Sequence, residues 1–278
     1  MGIASTFFEI FLGINCAYAR DGEKMIFETH AHYDDEAFDE DREELLASLR
    51  EHGIDQVINI GASLESCRGT LALMTKYPFV YGAMGVHPSE TGELNDENFA
   101  WLKRQCAADK VVAVGEIGLD YYWKEPEPDI QKKWFERQLE MAREVGLPVV
   151  IHSRDAARDT LDIMHALHAE EVRGVIHCFS YTKEIAREYL EMGYYFGIGG
   201  VITFRNARKL KEAVQYIPMD RILLETDSPY LAPEPHRGSR NSSLNLPYVA
   251  QEIATLKGIS YDEVVEITSE NAKRLFFV

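Results

Sequence analysis

The sequence predicts a (β/α)8 barrel, and three observations carry that expectation. Eight short apolar runs alternate with amphipathic stretches from Met25 to the end of the 278-residue chain, the rhythm of a parallel sheet in which a helix follows every strand. No G-x-G-x-x-G follows the first run, as it would in a doubly wound sheet with a dinucleotide site. Polar residues collect at the carboxyl ends of the runs, where barrels of this kind present their reactive side chains.

The expected strands, in order, are residues 25–29 (MIFET), 57–61 (VINIG), 80–85 (VYGAMG), 111–115 (VVAVG), 148–152 (PVVIH), 174–177 (GVIH), 194–199 (YYFGIG) and 221–226 (RILLET). Between them, apolar residues recur three and four apart, as in Leu45, Leu46 and Leu49 and again in Trp134, Phe135, Leu139, Met141 and Ala142, which gives each intervening helix one apolar face. Gly197, Gly199 and Gly200 lack the spacing of a dinucleotide loop and read as a tight turn near a ligand. Ser260 and Glu263 form a capping box that opens a last helix, expected to close the outer wall.

With 46% hydrophobic and 27% charged residues, and with 19 glycines and 10 prolines dispersed, the composition is that of one globular domain rather than a disordered chain. No stretch of eighteen uncharged apolar residues marks a membrane span. A net charge of −17 repels nucleic acid from most of the surface, so a polyanion needs local positive charge. Cys16, Cys67, Cys106 and Cys178 are far apart with no C-x-x-C pair, which disfavours a zinc finger or disulfide scaffold and fits a reducing, cytoplasmic location. The opening run FFEIFLGINCAYA ends like a signal-peptidase site, yet no basic segment precedes it and Glu9 interrupts it. Residues 1–24 are therefore expected to be a non-core extension, and 25–278 a single barrel domain.

The candidate chemistry lies at the strand ends: the first strand ends in His30 and His32, the fourth in Glu116, the fifth in His152, the sixth in His177, and the eighth in Glu225 and Asp227. Residues two apart share a face, so His30 with His32, and Glu225 with Asp227, can point together into the barrel mouth. H-x-H alone fits a hydrogen-bonded loop pair as well as a metal site. Four histidines with two or three carboxylates at five strand ends point to metal, because buried imidazoles and carboxylates need partners that cations supply. The spacing favours two divalent ions, since one mid-barrel carboxylate can clamp a pair about 3.5–4 Å apart. Imidazoles suit zinc, whereas carboxylates and phosphate substrates also accept magnesium or manganese.

The motifs ETHAHYDD, GVHP, GEIGLDYYW, IHSRDA, HCFS and LLETDSPYLAP, in this order, resemble the TatD family of metal-dependent deoxyribonucleases in the amidohydrolase superfamily. The resemblance spans residues 25–277. It implies that His30, His32 and Asp227 hold one metal, His152 and His177 the other, and that Glu116 bridges them. It also implies cleavage of DNA phosphodiester bonds by a metal-bridging hydroxide, working from a 3′ end of a single strand.

In that reading Asp227 takes a proton from the nucleophile and returns it to the leaving oxygen, while Glu225 either orients a histidine ligand or helps bind metal. His87 either donates to a substrate phosphate or caps a turn. Arg237, Arg240 and Asn241, in the loop after the eighth strand, are expected over the mouth as phosphate donors, with Arg154 and Arg205 adding charge. Tyr121, Tyr122 and Trp123 can stack a base or pack against a helix. Asp120 is read as holding a histidine or capping its loop, Cys178 as pointing away from the mouth, Glu28 as support, and Asp34 and Asp35 as solvated. Hydrolysis of a small phosphoester, lactone or amide is the alternative activity, and a metal-bearing interaction module a third. No membrane or obligate protein partner is expected.

Overall fold

A computed structural model of the chain describes residues 24–277; the expected extension falls almost wholly on residues 1–23, outside the described residues. The strands are β1 (Ile26–Ala31), β2 (Ile54–Ile60), β3 (Val80–Ala83), β4 (Val111–Asp120), β5 (Val149–Arg154), β6 (Gly174–Ile176), β7 (Tyr195–Ile198) and β8 (Ile222–Leu224). They pair in parallel in chain order. Between them run α1 (Arg42–Ser48), α2 (Leu64–Lys76), α3 (Asp96–Gln105), α4 (Pro128–Val145), α5 (Ala157–Ala166), α6 (Lys183–Glu191) and α7 (Arg208–Tyr216), and α8 (Leu246–Lys257) and α9 (Tyr261–Phe276) follow β8. The ring closes between β1 and the segment after β8, where Asp227 N–H donates to His30 O at 2.9 Å and His32 N–H to Ser228 O at 2.9 Å. This is the expected (β/α)8 barrel.

Strand alternation sorts the apolar side chains into two cores. Phe27, Ile58, Ile60, Val112, Val150, Val175 and Leu223 fill the barrel interior, while Ile26, Val57, Val114, Ile151 and Ile222 meet the helices outside. Each fully buried large side chain of this kind stabilises the fold by about 1.5–3 kcal/mol.

The last helix does more than complete the outer wall. Its residues Ala272, Leu275 and Phe276 join the interior core, Phe277 stacks on Phe27 at 5.8 Å, and Ser269 Oγ receives the Phe27 N–H at 3.2 Å. The helix therefore stops the amino-terminal end of the barrel. Its start carries the expected capping box of Ser260 and Glu263.

Two strands depart from the expected bounds in ways that matter for chemistry. β4 runs on to Asp120, with all ten residues buried and a register shift against β5 between Val114 and Ile117, so Glu116 lies within the strand rather than at its end. β6 ends at Ile176, and the alternation that would have turned Cys178 away from the mouth is broken by a left-handed backbone at that residue, φ 44°. Cys178 Sγ accordingly lies close to ligand atoms of both His177 and Asp227, correcting the expected direction. Burial pushes its thiol up, so it stays protonated. Among the described residues no helix is long and apolar enough to cross a membrane.

Candidate metal centre

β1 delivers His30 and His32 on one face, above Glu28. The Glu28 carboxylate is fully buried and accepts from the N–H groups of His30 and Thr226 at 3.1 and 2.9 Å and from the hydroxyls of Thr226 and Ser243 at 2.8 and 2.9 Å. Burial outweighs these donors and pushes its carboxyl up to about 8. Glu28 thus ties β1 to the loop after β8 and fixes the backbone from which both histidines project.

Two of the imidazoles that face the centre, His32 and His152, are held from behind by hydrogen bonds, and His177 has a carboxylate behind it. His32 Nδ1 is 2.9 Å from Ile60 O, a pure acceptor, so Nδ1 carries the proton and the Nε2 lone pair faces inward. His152 Nε2 is 3.0 Å from Asp120 Oδ2, leaving Nδ1 buried without a hydrogen-bond partner and 2.7 Å from Glu116 Oε1. His177 Nδ1 faces Glu225 Oε1 at 3.3 Å, and its Nε2 lies 3.1 Å from Glu116 Oε1. An outer acceptor that fixes the tautomer is the arrangement found behind histidines that ligate metals.

At the centre Glu116 sends its two oxygens in different directions. Oε2 is 3.5 Å from His30 Nε2 and 3.8 Å from His32 Nε2, whereas Oε1 faces His152 and His177. Asp227 Oδ1 completes the first group, 3.6 Å from His30 Nε2 and 3.4 Å from His32 Nε2. Asp227 is reached through a left-handed backbone, φ 57°, a conformation costing of order 1 kcal/mol that aspartate tolerates better than bulkier residues.

The donor set fits divalent metal. His30 Nε2 and His32 Nε2 approach to 3.2 Å, and His30 Nδ1 is buried without a partner. A tetrahedral ion with bonds of about 2.0–2.1 Å sets its ligands roughly 3.3–3.4 Å apart, close to the spacings in this group. Charge tells the same story. Burial alone would lower His32, but Asp227 and then Glu116 lift it to about 9; burial would likewise lower His177, yet Glu116 and Glu225 hold it well above its usual value. Burial would raise Glu116, but His177 and His87 bring it well below the carboxylate range. Protons take the place that cations would otherwise fill.

Two glycines make room for these side chains. Gly118, at φ 142°, would put a Cβ 1.9 Å from His152 O, and a Cβ on Gly197 would lie 1.9 Å from Glu225 Oε2. The glycine cluster read as a tight turn thus also clears space for a buried carboxylate.

A cavity of about 550 Å³ opens above the centre. Arg154 and Trp123 line it, and the Arg154 guanidinium sits 3.9 Å over the Tyr122 ring. Tyr121 instead packs inward, its hydroxyl donating to Asp159 at 2.7 Å. The cavity also takes in His87, whose Nδ1 accepts from Ser89 N–H at 3.1 Å, so its Nε2 carries the proton.

The expected phosphate donors after β8 are placed elsewhere. Asn241 is buried, its amide donating to Thr226 O at 3.0 Å and Tyr230 O at 2.8 Å. Arg240 forks onto Asp41 at 2.7 and 2.5 Å, and Arg237 lies over Phe204 at 4.3 Å. Backbone carbonyls hold Asn241, a carboxylate holds Arg240 and an aromatic ring holds Arg237, and none of the three lines the cavity. Asp34 and Asp35, read as solvated, do line it: Asp34 accepts from Asn59 at 2.7 Å and Asp35 from the Tyr230 hydroxyl at 3.1 Å.

A model of TatD-related DNases matches residues 27–277. The chain belongs to the TatD-related DNase family. A Bacillus subtilis relative named "Uncharacterized metal-dependent hydrolase YabD" is 43% identical over 91% of this chain and 99% of its own length. The "3'-5' ssDNA/RNA exonuclease TatD" of Cronobacter sakazakii is 36% identical over 86% of this chain and 93% of its own. The crystal structure of an Escherichia coli TatD homologue, YjjV, superposes with a TM-score of 0.86 at 29% identity, covering 91% of this chain and 98% of that one. His30, His32, Glu116, His152, His177 and Asp227 gather at the carboxyl-terminal mouth of the barrel, the face on which such barrels carry their reactive side chains.

Proposed function

We propose that this TatD-family protein is a metal-dependent hydrolase that removes nucleotides from an end of single-stranded DNA, with His30, His32 and Asp227 on one divalent ion, His152 and His177 on a second, and Glu116 shared between them. The observation that carries this reading is Glu116, whose two oxygens address two separate histidine groups. The names of the metal-dependent hydrolase and exonuclease relatives support it.

Divalent ions at such a centre acidify a water molecule and draw charge from a phosphate oxygen. Asp227, kept ionised because the His32 contact and nearby histidines outweigh its burial, accepts the proton from the attacking water. The water oxygen bonds to phosphorus, the phosphorus–oxygen bond to the sugar breaks, and Asp227 returns the proton to the leaving oxygen. His87 is neutral, since burial and then His152 push it down to about 3; its Nε2–H supplies an uncharged donor to a phosphate oxygen. Asp120 and Glu225 orient His152 and His177.

The test is incubation of metal-loaded protein with labelled single strands. Loss of the product in a Glu116→Ala variant supports the reading, and equal product from that variant sinks it. The cavity volume, within the range of small-ligand sites, also suits a second reading as a hydrolase of small phosphoesters, lactones or amides, and a substrate panel separates the two.

A further inference from the structure

The mouth is electrically lopsided, and the lopsidedness follows the barrel's order. In a ring of eight strands β1 stands opposite β5. On the β5 side, the cavity wall carries Trp123 and Arg154, which has no carboxylate within ion-pairing distance among the described residues, the Asp120 carboxylate there being bound to His152; Tyr122, under the Arg154 guanidinium, and Trp123 are 56% and 55% exposed. On the β1 side it carries Asp34 and Asp35. The Tyr230 hydroxyl is bound to Asp35, and its ring is 54% exposed. The metal-ligand cluster lies between the two walls.

Resting on the nuclease reading above, we propose that this polarity reads the terminus of the strand: the chain of phosphates enters over Arg154 and the β4–α4 aromatics, and the terminal nucleoside lies against Asp34, Asp35 and Tyr230 with a free hydroxyl. Stacking and the guanidinium favour a polyanion on the first side. On the second side the carboxylates accept hydrogen bonds from a sugar hydroxyl but repel a phosphate. A strand that continued past the centre would carry its next phosphate into that acidic wall. The site thus takes strand ends that finish in hydroxyl, and neither phosphorylated ends nor strand interiors.

The experiment uses the metal-loaded full chain and four internally labelled single-stranded oligonucleotides, with a hydroxyl or a phosphate at the 3′ end and at the 5′ end, together with a circular single strand. A phosphate at one of the two ends is expected to slow release of nucleotides from that end at least about ten-fold, and the circle is expected to stay intact. In an Asp34→Asn, Asp35→Asn double variant, which keeps an amide oxygen for Asn59 and Tyr230, the ratio of hydroxyl-ended to phosphate-ended rates should fall towards one. Rates within about two-fold for all four linear strands, an unchanged ratio in the variant, or cutting of the circle at the linear rate would each overturn the inference while leaving the nuclease reading intact. No cleavage of any strand would defeat the nuclease reading and this inference with it.

Discussion

Asp120 Oδ2 lies 3.0 Å from His152 Nε2, so a β4 carboxylate decides which nitrogen of the β5 imidazole meets Glu116. Asp120 is positioned for this by β4 itself: Glu116, Gly118 and Asp120 fall on one face, and the missing side chain at Gly118 lets β4 and β5 approach closely enough.

Asp120→Ala should free the His152 ring and lower metal affinity about 10–100-fold without unfolding the barrel. Competition with a chromogenic chelator measures it, alongside circular dichroism. Unchanged affinity would show that His152 needs no orienting carboxylate.

Glu116→Gln keeps the size of the side chain but removes the charge shared by the two histidine groups. Bound metal should fall and turnover should drop at least about a hundred-fold. Elemental analysis after gel filtration, paired with initial rates, distinguishes loss of metal from loss of chemistry.

Stability without metal should depend on pH in a stated direction. His32 is raised from 6.5 to about 9 in the folded chain, so its contribution is fully present below pH 6.5 and disappears as the pH rises through about 9, an effect on the order of 3 kcal/mol. Melts of chelator-treated protein should therefore lose Tm across that window. Saturating metal, which needs the neutral ring, should oppose the loss. A flat metal-free profile contradicts the assignment.

The arginines should separate by position. Arg154→Ala is expected to raise KM for single-stranded DNA about ten-fold, the scale of a lost stacked cationic contact. Arg240→Ala, which breaks a rim pair with Asp41, should leave KM alone and cost at most about 1 kcal/mol of stability. Steady-state kinetics with urea melts tests both, and a KM effect at Arg240 reverses the assignment.

The sequence made the barrel legible because apolar runs and amphipathic stretches alternate without exception, and it made the histidines legible because a buried polar residue at a strand end stands out. The expected fourth strand, residues 111–115, stops short of Glu116, whereas β4 continues to Asp120. Continuing the period of two through Gly118 to Asp120 would have shown the strand running on and named the His152 partner. Cys178 was misdirected because alternation holds only while a strand lasts, and a left-handed residue resets it. Arg237, Arg240 and Asn241 illustrate a different limit: a loop's composition shows that it carries donors, but competing partners such as Asp41 come from α1 and its approach, some two hundred residues away in the chain.

The side chains that fill the barrel interior, together with the last helix that stops its far end, Leu275 and Phe276 inside it and Phe277 against Phe27, make the molecule a cul-de-sac. Whatever enters by the mouth leaves by it. Under the nuclease reading proposed above, a released nucleotide would back out past the shortened strand, and departure of one product would compete with advance of the next substrate at a single doorway.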